Sequence, residues 1–477
     1  MDNLVKRNEL TVMKFGGSCI KNKESFNQII KILNSYKNED ILIVTSSAIN
    51  GITNKLIEFY EKSCLEDEEC NRLIIEIYDL HYNLLNQIIP QDRIEYKDTL
   101  KFIRNNIEEL SQLGKVIRLI RPSLDIQDLI YSYGERLSTF ILTAYLKYNK
   151  FNAFYISSDD IILTDDNFGH ALPLLDETEK LIQQKLVPLL EQGKFDIICV
   201  TGYYGSTYDK KITTLGRGGT DLTAAVLAYS LRNNYNCKVI YWKDVKGLLN
   251  ADPKISKKTS LLKNLSYVEA KELAFFGSEI LHPISLDVNE KGNIPSEIRC
   301  FEEPNSEEYT TLSKEIIKQN NVVKAITSIE KLTMVTLESD TMVPLPGTAS
   351  KLFSLLGDNK INIVFISQSS SENNITFGIN YKDSDKVNRL LKNSEFFGKK
   401  WFKVKINNNI SLVAVIGAGL LDTPGIAGKV FTTLGDNQIN IRAIAQGSSD
   451  LNFTAIIDRN NCIRAINALY NAFINQS

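Results

Sequence analysis

The sequence predicts an α/β domain on a mainly parallel sheet, followed by a repeated α+β unit. Two observations predict it. Short apolar strands alternate with helical stretches as far as Cys300, and beyond it loop residues as well as apolar ones recur at a fixed offset. A chain of 477 residues has room for two or three domains, and 43% hydrophobic with 23% charged residues is an ordinary globular balance. The net charge of −2, without a basic block, argues against nucleic acid or an anionic membrane as partner. No run reaches ~18 apolar residues and the N-terminus has no apolar signal core, so a cytoplasmic protein is expected. Seven cysteines without a CxxC pair read as reduced thiols, and three scattered histidines (His81, His170, His282) predict no metal site held by the protein.

The first strand, residues 10–15, ends in Gly16-Gly17 and precedes a helix over 23–36. Residues 41–48 are a short apolar run of the kind buried in parallel sheets. Residues 61–112 have helical period and one polar side, which predicts a helical hairpin packed on the core. A long helix over 122–148 includes GERLS, and strands are expected at 151–156, 195–200 and 238–245, with an amphipathic helix over 265–277.

Two stretches offer chemistry. TTLGRGGTD (213–221) has three glycines that let a ligand approach the backbone, and Thr220 and Asp221 are N-cap types for the Ala-rich helix expected over 222–231. Such a helix start attracts an anion, Arg217 suits a carboxylate or phosphate, and Asp221 can accept from an ammonium. The loop thus offers groups for both charges of an amino acid, although a glycine loop by itself is as readily a surface turn. KFGGSC (14–19) puts Lys14 at a strand end and two glycines in the next turn, which serves as a phosphate cradle or as a plain strand-end turn. No Walker loop is present.

The C-terminal part repeats itself. Pro346-Gly347 recurs as Pro424-Gly425, and KLFSLLGDNKINIVFISQSSS (351–371) as KVFTTLGDNQINIRAIAQGSS (429–449). Each copy reads strand, Pro-Gly turn, helix, LGDN turn, two strands and a second helix, so paired βαββαβ units stacked sheet to sheet or side by side are expected. VIGAGLLD (415–422) has Asp422 where a dinucleotide loop needs its third glycine, and reads as a strand end within the second copy.

KFGGSC, SAINGIT (47–53), GERLS, TTLGRGGTD, DVKGLLNADPK (244–254) and FGSEILHP (276–283) stand in the order seen in aspartate kinases, a branch of the amino-acid kinase family. The resemblance covers nearly the whole chain. It implies an amino-acid kinase α/β/α sandwich over 1–305 and two α+β, ferredoxin-like ACT modules over 325–405 and 406–477, with the C-terminal end able to complete the first module. It also implies transfer of the γ-phosphoryl of ATP, with Mg²⁺ held largely by phosphate oxygens and water, to the β-carboxylate of L-aspartate. By position, the resemblance makes Lys14 and Asp221 catalytic, and Ser47, Thr53, Glu135, Tyr203, Arg217 and Thr220 substrate-binding. Glu135 and Asp221 would suit the α-ammonium. Gly16, Gly17, Ser18, Lys243, Asp244, Asp252, Pro253 and Lys254 would bind ATP.

Four positions depart from the family pattern: Lys243 in place of threonine, Lys246 in place of an aspartate or small residue, Glu279 in place of a phosphate-binding lysine, and Leu249 in place of a tyrosine. Lys243 is expected to take the phosphate role lost at 279. The segments ISQSSSE (366–372) and IAQGSSD (444–450) resemble the threonine-sensitive class. Gln368 and Gln446 are therefore expected to contact an amino-acid effector, threonine in preference to lysine, unless they pair across a module interface. A homodimer or higher oligomer is implied, and no fused homoserine dehydrogenase is expected within the 477 residues. Two other readings are a kinase for another acidic substrate and a non-catalytic amino-acid sensor.

Overall fold

The computed structural model describes residues 9–36, 41–63, 67–120, 122–255, 259–276, 281–315, 322–339, 347–368, 374–399, 402–420, 422–445 and 451–475. In chain order the first elements are β1 (Glu9–Phe15), α1 (Lys23–Tyr36), β2 (Ile41–Ser46), α2 (Ile52–Ser63), α3 (Asp67–Ile88), α4 (Ile94–Leu119), α5 (Leu124–Tyr148) and β3 (Ala153–Ile156). There follow α6 (Leu175–Lys185), α7 (Val187–Glu191), β4 (Ile197–Thr201), β5 (Tyr204–Ser206), β6 (Ile212–Thr214), α8 (Gly219–Leu231) and β7 (Asn236–Lys243). Then come β8 (Asn264–Ser266), α9 (Tyr267–Phe275), α10 (Pro283–Gly292), β9 (Ser296–Cys300) and β10 (Thr310–Ser313). The expected 61–112 hairpin is α3 and α4.

The chain divides into two compact units: residues 1–248, 263–267 and 279–315, and residues 249–262, 268–278 and 316–477. The first is built on an eight-stranded sheet in the order β3-β4-β2-β1-β7-β9-β10-β8. Its centre is β1, paired in parallel with β2 on one side and β7 on the other. Only Glu9 of β1 is exposed, as a strand covered on both faces requires. α8 is buried along its whole length, which its sequence GTDLTAAVLAYSL permits because it is apolar or small all round. Connections leave β1 first toward β2 and later toward β7, so the carboxyl ends of these strands form the crevice where open α/β sheets bind ligands.

The second unit adds β11 (Ala325–Ser339), α11 (Thr348–Asp358), β12 (Ile363–Gln368), β13 (Asn374–Asn380), α12 (Ser384–Asn393) and β14 (Phe402–Ile416). Its last elements are α13 (Ile426–Asp436), β15 (Ile441–Ala445), β16 (Asn452–Asp458) and α14 (Cys462–Phe473). The two repeats lie side by side in one six-stranded sheet, β12-β13-β11-β14-β16-β15. They are also interleaved. β11 pairs with β14 from Ala325↔Ile416 to Ser339↔Phe402, so each long strand serves both halves. α12 packs against β14, and α14 against β11. Two apolar cores result, one around Leu352, Phe377 and Leu391, the other around Val430, Ile457 and Leu469 with Ile326 of β11. The LGDN turn begins later than expected. α11 and α13 run on through Asp358 and Asp436, and the reversal is made by Lys360 and Gln438 at φ 55° and 54°.

α9 belongs to this second unit, bound by buried charge. Lys324 Nζ lies 2.9 Å from Glu269 Oε1, with side chains 5% and 0% exposed, and Ala418 N–H donates to the same carboxylate. Removing one member leaves an uncompensated buried charge, whereas removing both does not. Lys324→Met should cost about 3–5 kcal/mol of stability. Lys324→Met/Glu269→Leu should recover most of it, read as the midpoints of thermal or urea unfolding.

Candidate functional site

Lys14 sits one residue before the end of β1, and its ammonium is buried under the turn Gly17–Cys19 that follows. A Cβ at Gly16 would stand 3.1 Å from Lys14 Nζ, so any larger residue there would press on the ammonium. β7 runs parallel to β1 with Phe15 opposite Trp242, which brings Lys243 to the same end of the sheet. Asp221, in the first turn of α8, reaches both lysines. Its Oδ1 is 2.7 Å from Lys14 Nζ and its Oδ2 is 2.9 Å from Lys243 Nζ.

These contacts revise one expectation. Asp221 does not cap α8; the N-cap is Gly218, at φ 77°, and Asp221 lies inside the helix. In this structure both oxygens of its carboxylate accept from lysines. The charges respond to one another. Burial alone would raise the Asp221 carboxyl, but Lys14 and Lys243 hold it below its usual value. Burial opposes the Lys14 ammonium, yet Asp221 keeps it raised. Lys243 is lowered to about 8 by burial and by repulsion from Lys14.

Beside this cluster opens a pocket of about 470 Å³. Its walls come from the turn after β2 (Ser47, Ala48, Asn50), the start of α2 (Thr53, Asn54), Glu135 of α5, Tyr203, and the loop Arg217–Thr220. Lys14 and Gly17 also line it. Glu135 projects from the middle of α5, brought close by Gly134, where a Cβ would meet Ala48 Cβ at 2.7 Å. Its carboxyl is buried, and Oε2 has no hydrogen-bond partner. Burial pushes it up to about 8, against the pull of the Ala48 N–H and of Lys14. Ser47 Oγ donates to Thr220 Oγ1 at 3.0 Å, tying the two loops together. Tyr203 holds φ 76°, a strained value for a tyrosine, with its N–H on Thr223 Oγ1 and its carbonyl accepting from Leu215 N. Arg217 is exposed at the rim.

The structure thus gathers Lys14, Gly16, Gly17, Ser47, Thr53, Glu135, Tyr203, Arg217, Thr220, Asp221 and Lys243 around one crevice, with Ser18 in the turn beside Lys14. Asp244 is exposed just beyond β7. Asp252, Pro253 and Lys254 are exposed in a turn of the second unit, where Asp252 Oδ1 accepts from Lys254 N. Gln368 is exposed at the end of the edge strand β12. Gln446 and Glu279 lie outside the described residues.

Sequence reasoning passed over Asp128 and His282. Asp128 is buried on α5, two helical turns before Glu135 and so on the same face, which was the available signal. It accepts from Gly169 N (2.8 Å), Thr214 N (2.8 Å) and Thr214 Oγ1 (2.7 Å), fixing the strand that leads into the glycine loop. His282 caps α10 by accepting from Ile284 N, and its ring backs Gly218, where a Cβ would meet it at 3.0 Å. Among the described residues no cluster of three or more His, Cys, Asp or Glu could hold a metal. Both oxygens of Asp221 are engaged by lysines, so a Mg²⁺ ion would fit here only as a nucleotide's companion, held by phosphate oxygens and water.

Comparison with known proteins agrees with this architecture. Residues 9–300 match the model of the amino acid kinase family, and residues 335–394 and 413–473 match an ACT domain. Aspartokinase 2, chloroplastic, of Arabidopsis thaliana is 30% identical over 485 residues, covering 98% of this chain and 84% of that protein. The bifunctional aspartokinase/homoserine dehydrogenase of Buchnera aphidicola is 30% identical over 97% of this chain. The chain spans about half the length of such bifunctional relatives (56% and 52% for two of them). E. coli aspartokinase III, solved with aspartate and ADP in an R-state, is 26% identical with a TM-score of 0.79, covering 97% of this chain and 99% of its own. The same enzyme was solved with lysine and aspartate in a T-state, also at 0.79.

The loop's dependence on Asp128 is open to test. Asp128→Asn turns an acceptor of three donors into a group with its own N–H bonds among them. It should cost about 1–3 kcal/mol and speed hydrogen exchange at the Thr214 and Gly169 amides, with helix α1 unchanged.

Proposed function

The chain belongs to the amino acid kinase family, and we propose that it transfers the γ-phosphoryl of ATP to the β-carboxylate of L-aspartate, giving 4-phospho-L-aspartate. The observation that carries this reading is the buried carboxyl of Glu135, whose Oε2 has no hydrogen-bond partner, in one pocket with Arg217 and Lys14. Glu135 suits an α-ammonium and Arg217 an α-carboxylate. A substrate held at those two points can turn a second carboxylate toward Lys14. Ser47, Thr53, Tyr203 and Thr220 would shape the space between, while Gly16, Gly17 and Ser18 expose backbone N–H groups to the phosphates. Asp244, Asp252, Pro253 and Lys254 remain proposed nucleotide contacts on their motif alone. The complexes of E. coli aspartokinase III with aspartate and ADP and with lysine and aspartate support the same substrate class and an amino-acid effector.

The reaction needs no proton transfer. An oxygen–phosphorus bond forms to the β-carboxylate as the bond from the γ-phosphorus to the bridging oxygen breaks, and that electron pair leaves with ADP. What the protein must supply is alignment and positive charge. Lys14 supplies charge at the phosphates, held there by Asp221. Mg²⁺ bound with the nucleotide would neutralise further phosphate charge. We place the effector site in the ACT repeats, with Gln368 and Gln446 as contacts and threonine preferred to lysine. A homodimer or higher assembly through these repeats completes the proposal.

Hydroxylamine trapping of the acyl phosphate tests the chemistry itself. ATP-dependent aspartyl hydroxamate that falls when threonine is added supports both parts. Product indifferent to threonine removes the effector assignment, and no product removes the kinase. A pH series tests the substrate pose. Glu135 stays protonated in the empty site up to about 8 and must ionise to hold an ammonium. Aspartate binding should therefore release a proton and tighten about tenfold per pH unit below 8, levelling above it. Glu135→Gln should bind weakly and without that slope, measured by calorimetry in buffers of different ionisation enthalpy.

A further inference from the structure

Two ammonium groups on one carboxylate leave a surplus positive charge in a largely buried site. The exposures of the Lys14, Asp221 and Lys243 side chains are 7%, 3% and 15%. One lysine would have neutralised Asp221. A second lysine has to be desolvated and placed beside a like charge, which is costly unless an anion completes the group. The place where an anion would complete it is the neighbouring glycine turn, and Lys243 is the more open of the two lysines. We propose that Lys243 is a second phosphoryl-holding cation, kept on Asp221 in the empty enzyme and turned to the triphosphate when nucleotide binds. This rests on the phosphotransferase reading above and assigns the binding role of that one lysine.

The arrangement follows from the strands. Because β1 and β7 are parallel neighbours with Phe15 opposite Trp242, side chains at their carboxyl ends emerge together. Asp221 reaches both from a helix buried on all sides, so its carboxylate cannot swing away. It therefore acts as a brace presenting two cations, neither a base nor a substrate contact. Lys14 is gripped at 2.7 Å and stays, while Lys243, at 2.9 and 3.1 Å from the two oxygens, can exchange one anion for another.

Lys243 loses its charge as pH rises through about 8, so its help to nucleotide binding is present below that pH and lost above it. The groups that face it do not share this window. Asp221 from α8 is held below its usual range, and Lys14 from β1 and the Cys19 thiol are held above theirs. Of the groups that feel Asp221, Tyr241 is displaced well upward and His282 downward. Glu135 drops out when aspartate is saturating, since the bound substrate already holds it ionised.

The test compares wild type, Lys243→Met and Lys243→Arg. Calorimetric binding of MgATP should weaken tenfold or more in Lys243→Met and change less than threefold in Lys243→Arg. Aspartate binding should change less than threefold in both. At saturating aspartate, kcat/KM for ATP should fall above about pH 8 in wild type and not in Lys243→Arg, whose guanidinium does not titrate there. Wild-type ATP affinity in Lys243→Met, or the same alkaline fall in Lys243→Arg, overturns the proposal. If Lys243→Met does not fold, the pH profile of Lys243→Arg decides. Absence of hydroxamate from wild type would remove the parent reading, while the ATP-binding comparison would still judge Lys243.

Discussion

The interaction on which the first unit depends is the bracing of two lysines by Asp221. Three charges removed from water would unfold most sites, and they persist here because each is held by another at 2.7–3.1 Å. That requirement reaches outward. It demands a helix start close to the ends of β1 and β7, hence Gly218 at positive φ and Gly219 packed so closely on Tyr203 and Leu215 that a Cβ would meet Leu215 at 2.9 Å. It demands that α8 be apolar all round, because the helix carrying Asp221 lies inside the fold. It also demands that the loop before α8 be fixed, which Asp128 does from below and His282 from the side.

A second constraint balances the first. The same pocket is lined by Lys14 of the cationic cluster and by a neutralisable carboxyl, Glu135. Burial pushes Glu135 toward its protonated form, so the empty pocket does not have to hold a bare anion. The same burial makes the ionised form avid once a cation arrives, since nothing else competes for Oε2. A pocket lined by a cation and by a neutralisable carboxyl discriminates by the charges of its ligand as well as by shape.

Much of this was legible in the sequence, and the reason is local. β1, α1 and the glycine loop are written in short-range patterns of apolar residues and glycines, and the duplicated Pro-Gly and LGDN segments announce the repeat directly. What the sequence did not disclose depends on partners far apart in the chain. That Asp221 faces two lysines follows from strand register 14-to-241, which no local pattern encodes. Asp128 looked like one more polar residue on a long helix, because its three donors come from residues 169 and 214. The division of the chain was hidden for the same reason. Residues 249–262 and α9 read as continuations of the α/β domain, yet they fold with the repeats through Asn250, Ala251 and the Glu269–Lys324 pair.

The interleaved repeat couples its two halves more tightly than two separate copies would be coupled. β11 and β14 each contribute to both halves of the sheet, and the second helix of each copy packs on the other copy's long strand. Neither half can change its packing without disturbing a strand that the other half uses, so the two halves must switch together. Two edge strands, β12 and β15, carry equivalent exposed isoleucines, Ile366 and Ile444, at equivalent positions of the repeat. An amino acid bound at one edge would therefore act on the whole sheet. The continuous strands, more than any single contact, are what would make such a response cooperative, because the coupling energy is built into shared covalent elements.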